Sequence, residues 1–178
     1  GAFTVELHYN QDYCESPRDW SNVGTLYGSS DWADRQCDGA GDGWRMARRE
    51  LGPIMGFPVY VFSDGRSASV YATDWANADC VYVVPVDKVR EEGWPGGFGQ
   101  QVRAARECMT AELQAMQSWL RGECYGYTVV DADGDVIDSC WGYVGEPDYA
   151  MQEGVRTATW QWEHLPEWIR QTILAHAS

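Results

Sequence analysis

Lysine is almost missing from this chain of 178 residues, in which Lys88 stands beside twelve arginines. Acidic residues are abundant instead, with 27 Asp and Glu and a formal net charge of −14. A surface of this charge repels the phosphates of nucleic acids and of anionic lipid headgroups. We therefore expect no direct nucleic-acid binding and no membrane binding, and we expect a basic protein as the partner.

The six cysteines contain no C-x-x-C pair and no zinc-finger spacing. The chain also has no apolar run near the roughly 20 residues that a membrane-spanning helix needs, and no signal-peptide pattern. We expect reduced thiols, no metal, no cofactor and a cytoplasmic location.

Catalytic motifs are missing as well, because the sequence contains no P-loop, no G-x-S-x-G and no H-E-x-x-H. The nearest approach to a nucleophile and base is Cys140 with His8 or His164, and nothing in the sequence brings these residues together. We predict no catalytic residue, and a binding protein in preference to an enzyme.

Four aspartates crowd the segment 125–142 and suggest a calcium loop: Asp131, Asp133, Asp135 and Asp138. An EF-hand loop has glycine at position six and glutamate at position twelve. Counted from the first aspartate, Gly134 stands at position four and Gly142 at position twelve. The segment therefore predicts a β-hairpin with Asp133-Gly134 at its tip. Asp138 lies deeper in the strand and is the hairpin carboxylate that we expect to bind a partner or ligand.

Hydrophobic periodicity predicts a series of strands and helices. We expect strands or hairpins at 3–9, 59–72, 80–86 and 125–142, helices at 44–51, 88–92, 100–121, 150–158 and 165–175, and a long loop at 10–43. The helix at 100–121 presents one apolar face to the core: Val102, Ala105, Met109, Leu113, Met116 and Leu120. The element order predicts an α+β fold, a single globular domain over 1–178 with an antiparallel sheet built from hairpins and helices packed on one face.

Acidity is concentrated at the two ends of the chain. Residues 1–43 carry eight acids and two bases, and residues 131–178 carry nine acids and two bases. If the fold brings the ends together, they form one negative face. The alternative is an ordinary solvated surface that keeps the protein soluble.

Several segments resemble one protein family. Residues 17–25 resemble a P-R-x-W-x-N-x-G-T signature, and residues 131–142 resemble a D-x-D-G-x-x-I-D-S-C-W-G hairpin. The segments that begin at Val59 and Val81 resemble the strands between them. The family consists of small uncharacterised proteins of bacteriophages and prophages. The resemblance implies a family-like core at 3–155, a C-terminal helical extension at 156–178, and action in the host bacterial cytoplasm.

Residues 17–25, which we call the signature loop, have two interpretations. In the functional interpretation, Arg18 binds a carboxylate or phosphate of a ligand through two hydrogen bonds. Trp20 then stacks on the ligand, and Asn22 hydrogen-bonds to its polar atoms. In the structural one, Arg18 pairs with a hairpin carboxylate, Trp20 fills the core and Asn22 turns the chain. We favour the structural interpretation.

The leading functional hypothesis is an acidic interaction protein of a phage, which inhibits a host nucleic-acid-binding or defence factor by mimicking the charge of DNA. Trp20, Trp32 and Trp44 are its candidate anchors, because buried tryptophan dominates interface energetics. The alternative is a small-ligand or nucleotide-binding protein or enzyme. Its pocket would lie between the 14–27 loop and the 125–142 hairpin and would use Arg18, Trp20, Asn22 and Asp138.

Overall fold

The computed structural model describes residues 3–64 and 68–176, which form strands and helices in the mixture expected of an α+β protein. The strands are β1 (Thr4–Tyr9), β2 (Thr25–Gly28), β3 (Arg35–Gln36), β4 (Ile54–Ser63), β5 (Ala68–Ala72), β6 (Cys80–Pro85), β7 (Cys124–Val130) and β8 (Val136–Val144). The helices are α1 (Ala40–Leu51), α2 (Val86–Glu91), α3 (Phe98–Leu120), α4 (Pro147–His164) and α5 (Glu167–His176). The predicted fold class is confirmed.

The chain forms two compact units. One consists of residues 1–15 and 122–178 and is called the terminal unit; the other consists of residues 16–121 and is called the central unit. Each unit has its own sheet, ordered β1-β7-β8 in the terminal unit and β3-β2-β6-β4-β5 in the central unit. The structure thus has two sheets where one was expected, and the single domain over 1–178 stays a prediction.

The sheet of the terminal unit is antiparallel and has β7 in the middle. β1 pairs with β7 from Thr4↔Val130 to Tyr9↔Tyr125, and β8 pairs with the other edge of β7. Helix α4 packs against one face of this sheet, where Gly154 lies against Val5 and Tyr127. The expected arrangement, with a helix on one face, holds for this sheet.

The sheet of the central unit has β6 in the middle. Val81 and Val83 pack with Ala47 of α1 on one face, while Tyr82 packs with Met109 of α3 on the other. This sheet therefore has a helix on each face, which differs from the expected one-sided packing. The physical reason is that a strand apolar on both faces needs both of them covered.

Helix α3 confirms the periodicity prediction, with Ala105, Met109, Leu113 and Met116 buried. Val102 and Leu120 are partly buried against the same core.

The predicted loop at 10–43 is wrong over part of its length. It contains β2, β3, two 3₁₀ turns and the first residues of α1, which begins at Ala40. The sequence hides this helix start because Gly41 and Gly43 are poor helix formers. Gly43 is needed there, since a Cβ atom would lie 2.9 Å from the backbone oxygen of Tyr27.

Two other helices also differ from expectation. Helix α4 runs from Pro147 to His164 and is longer than predicted, with proline in its first turn where it is tolerated. Helix α2 begins at Val86, so Asp87 lies in its first turn and does not cap it.

The tip of the β7–β8 hairpin is a loop shaped by Asp131. Its carboxylate accepts hydrogen bonds from the backbone N–H groups of Asp133 and Asp135, at 2.9 and 3.0 Å. Gly134 has φ of 88°, a value that favours glycine. Asp131 therefore organises the turn, and the hairpin prediction is confirmed.

No helix within residues 3–64 and 68–176 combines the length and apolar character required to cross a membrane.

We predict that Gly154→Ala destabilises the protein by about 1–3 kcal/mol, because the new methyl group overpacks the contact between α4 and the sheet. A Cβ atom at this position would lie 2.5 Å from Cγ1 of Val5 and 3.0 Å from the Tyr127 ring. Urea unfolding measures the change.

Gly99→Ala is the matched control, because Gly99 lies in α3 and a methyl group added there would meet no atom within 4 Å apart from its chain neighbours and its own helix backbone. This substitution should stabilise the protein by about 0.5–1 kcal/mol. Equal stability of the two variants would contradict the described packing of α4.

Candidate functional site

The signature loop is held by Glu112 of α3, a residue that the sequence analysis missed. One carboxylate oxygen of Glu112 accepts a hydrogen bond from the backbone N–H of Val23 at 2.6 Å. The other accepts from the N–H of Gly24 at 3.3 Å and from the hydroxyl of Tyr82 at 2.7 Å. One side chain thereby fixes the entry of the chain into β2.

Two tyrosines of the central sheet are kept neutral by their surroundings. Burial, and then the hydrogen bond to Glu112, raises the pKa of Tyr82 above its ordinary value. Burial, and then the hydrogen bond to Glu50, raises the pKa of Tyr27 to about 12. Both hydroxyls therefore act as hydrogen-bond donors to carboxylates at neutral pH, which is a structural role.

Arg18 and Asn22 are engaged in local contacts. Arg18 donates to the backbone oxygen of Ala33 at 3.3 Å, and its Nε lies 3.7 Å from Oδ1 of Asp34. Asn22 donates to the backbone oxygen of Pro17 at 2.6 Å. These contacts support the structural interpretation of both residues, with Asp34 in place of a hairpin carboxylate.

The cavity beside this loop is small. It is lined by Arg18, Asn22, Trp32 and Glu112 among others and holds about 20 Å³. That volume suits about one water molecule. The loop by itself thus provides no room for a nucleotide or a comparable ligand.

The three candidate tryptophans have different environments. Trp20 is 39% exposed, so the expectation that it fills the core is wrong. Trp32 packs against the core on the α3 side of the sheet, and its ring lies edge-on to that of Trp119 with 5.9 Å between ring centroids. Trp44 packs against the cluster that contains Ala47 and Val81, and its ring lies edge-on to that of Trp75 with 5.7 Å between ring centroids. Trp20 has the exposure that an anchor requires, and the role of all three as anchors stays a prediction.

Asp138 is half-buried in β8, and its Oδ1 accepts a hydrogen bond from the backbone N–H of Ser139 at 2.7 Å. It lines an open groove of about 370 Å³ with Arg156, Thr157 and Trp160 of α4. Asp138 belongs to the terminal unit, whereas Arg18 and its neighbours belong to the central unit. The pocket expected between the 14–27 loop and the 125–142 hairpin stays a prediction, as does ligand binding by Asp138.

A catalytic pair of His8 and Cys140 is excluded by strand geometry. In the sheet register His8 lies opposite Gly126, while Cys140 lies opposite Tyr127. Successive residues of a strand point to opposite faces, so the two side chains lie on different sides of the sheet.

In the part of the chain that the structure describes, the side chains that most often bind metals are not clustered. Within residues 3–64 and 68–176, no three His, Cys, Asp or Glu side chains are placed to hold a metal ion. Burial, and then the neighbouring thiol of Cys14, raises the pKa of Cys124 to about 12. A buried thiol of this kind is unreactive.

The sheet face opposite α4 carries an aromatic cluster that the sequence analysis missed. We call it the aromatic platform; it consists of Glu6, His8, Tyr13 and Trp141. The Trp141 ring lies over Gly126, where a Cβ atom would come within 2.3 Å of it. The Tyr13 ring packs on Trp141 at 4.6 Å between centroids, and His8 lies at 5.7 Å.

His8 connects the platform to β7. Nε2 of His8 lies 2.7 Å from Oγ1 of Thr128 and 3.8 Å from a carboxylate oxygen of Glu6. Glu6 and His8 share one face of β1 because they are two residues apart in a strand, and the sequence shows this spacing. Tyr13 and Trp141 carried no such signal, because their approach depends on the fold.

Charge is unequally divided between the units. The terminal unit has thirteen acidic residues and two arginines, net −11, whereas the central unit has fourteen acidic and eleven basic residues, net −3. Arg156 and Arg170 of the terminal unit each form an ion pair within their own helix, with Glu153 and Glu167. Two arginines cannot neutralise the other eleven acidic residues of this unit.

No protein-family model, no curated protein and no solved structure matches this chain. The resemblance to the bacteriophage and prophage family stays an expectation.

We predict that Glu112→Ala destabilises the protein by about 3 kcal/mol, because the N–H groups of Val23 and Gly24 and the hydroxyl of Tyr82 lose their acceptor. Glu107→Ala is the control, since Glu107 is an exposed residue of the same helix, and its effect should stay within about 0.5 kcal/mol. Urea unfolding measures both changes, and similar values for the two variants would refute the role of Glu112.

We also predict a loss of stability in alkali. The pKa of Tyr27 is raised in the folded protein to about 12. As the pH rises, the hydroxyl therefore loses its proton at a lower pH in the unfolded chain than in the folded protein. The contribution of this pKa difference to the free energy of unfolding is fully present below about pH 10 and disappears as the pH rises toward 12. Tyr27→Phe should show a shallower decline in the free energy of unfolding over this range than the unmodified protein. Parallel curves would contradict the prediction.

Proposed function

We propose that this protein is a phage-encoded interaction protein that binds a basic surface of a host nucleic-acid-binding or defence protein in the bacterial cytoplasm. The observation that carries the proposal is the net charge of −11 on the terminal unit. Such a surface attracts cationic proteins over long distances and repels nucleic acid.

The arrangement of the arginines supports this proposal. Both arginines of the terminal unit are three residues from the glutamates that they contact. They are thus occupied locally, and most acidic residues of the unit have no guanidinium from their own unit to neutralise them. Exposed carboxylates of this kind accelerate association with a cationic partner and make binding dependent on salt.

The strong form of the proposal is mimicry of DNA. In this form the carboxylates occupy positions that resemble phosphates, and the protein competes with DNA for the same basic site. Asp133 and Asp135 at the hairpin tip and Glu163 on α4 are exposed and suit this role. Competition with duplex DNA for the captured partner distinguishes this form from binding at another basic surface.

Small-ligand binding or catalysis is the less supported alternative. The cavity next to Arg18 and Asn22 has room for about one water molecule, and both side chains already have partners. These contacts favour an interaction protein over a nucleotide-binding enzyme.

We predict that host proteins captured at low salt are released as NaCl rises from about 50 to 300 mM, because the Debye length shortens over this range. A variant of the terminal unit with four neutralised carboxylates should capture less at every salt concentration. Its substitutions are Glu15→Gln, Asp133→Asn, Asp135→Asn and Glu163→Gln.

The control has the same change of charge in the central unit. Its substitutions, all at exposed positions, are Asp31→Asn, Asp38→Asn, Glu91→Gln and Glu92→Gln. Capture by this variant should match that of the unmodified protein. The proposal fails if the two variants lose binding equally, or if salt has no effect on capture.

A further inference from the structure

We propose that the aromatic platform of the terminal unit binds arginine side chains of the basic partner. Tyr13 and Trp141 provide the stacking surface, and Glu6 provides the opposite charge. This inference rests on the proposed function, because it names the chemical group that the acidic unit recognises.

The platform is built before any partner arrives. Trp141 occupies the space above Gly126 that any other side chain would fill, and Tyr13 packs on its ring at 4.6 Å. Asn10 orders the short 3₁₀ turn that contains Tyr13, since its side chain accepts a hydrogen bond from the N–H of Asp12 at 3.0 Å. A rigid aromatic surface loses little entropy when it binds.

The platform also remains accessible. Tyr13 is 60% exposed although its ring packs on Trp141. Helix α4 occupies the opposite face of the sheet, where the Tyr127 hydroxyl and Oγ1 of Thr157 are hydrogen-bonded at 2.9 Å. The outer surface of the platform is therefore free to receive a planar cation.

Arginine fits this surface better than other groups do. A guanidinium stacks on aromatic rings and gains from their quadrupole, and it donates two parallel hydrogen bonds to a carboxylate. Glu6 provides the carboxylate, with its side chain 53% exposed and one oxygen 3.8 Å from Nε2 of His8. A lysine ammonium is a point charge and stacks less well.

Charge complementarity selects the occupant. The platform lies on the unit that carries a net charge of −11, so an apolar segment or an acidic one has no electrostatic reason to bind there. An arginine-bearing segment of a protein gains from both the field of the unit and the local stacking.

The test compares two synthetic peptides of equal length and charge, one rich in arginine and one rich in lysine. Binding to the full chain is followed by fluorescence anisotropy of labelled peptide at low salt. We expect the arginine peptide to bind about 3- to 10-fold more tightly. Tyr13→Leu, which keeps an apolar contact on Trp141 but removes the ring, should abolish this preference.

Tyr149→Leu is the matched control, because Tyr149 is an exposed tyrosine of α4 in the same unit. It should keep the arginine preference. A second pair of variants tests the platform even if Tyr13→Leu does not fold. Glu6→Gln should weaken binding of the arginine peptide more than Glu163→Gln does, although both remove one exposed carboxylate.

The outcomes separate this inference from the proposed function. If Tyr13→Leu and Glu6→Gln keep the full arginine preference while binding stays salt-dependent, the platform inference is overturned and the acidic docking function survives. If the unmodified protein binds neither peptide at low salt, both are overturned.

Discussion

The antiparallel ladder between β1 and β7 is the interaction on which the terminal unit depends. It joins residues 4–9 to residues 125–130 through six paired positions, so it closes a loop of more than a hundred residues. Closing such a loop costs conformational entropy, and contacts between residues close in sequence do not offset this cost. Burial of Val129 and partial burial of Val5, together with the ladder hydrogen bonds, offset this cost. The ladder also adds the acids of residues 1–15 to those of residues 122–178.

The two faces of this sheet have different surroundings. The face with Val5 and Tyr127 is covered by α4 and stabilises the unit. The opposite face presents Tyr13 and Trp141, together with His8 and the neighbouring Glu6, on a unit with a large negative charge. The central unit is different, because its sheet is covered on both faces and its signature loop is fixed by Glu112. Structure and charge therefore both direct the proposed interaction to the terminal unit.

The sequence predicted what depends on local pattern. The apolar face of α3, the strand that forms β6 and the Asp-Gly tip of the hairpin were all predicted correctly, because each carries a hydrophobic pattern or a turn signal. The starts of α1 and α4 were missed, since Gly41 and Gly43 weaken the helical signal and the segment before Ala150 has no clear period. Glu112 was beyond sequence reasoning because its partner Val23 lies 89 residues away, and Trp141 meets Tyr13 only after the sheet has formed.

The central claim is that the β1–β7 ladder gathers a repulsive surplus of negative charge in one unit. Hydrogen exchange of backbone amides, measured as a function of NaCl, tests it directly, because salt screens repulsion within the unit of charge −11 more than within the unit of charge −3. We expect added salt to slow exchange in β7 (Cys124–Val130) more than in β6 (Cys80–Pro85). Equal slowing of both strands, or greater slowing of β6, would contradict this claim.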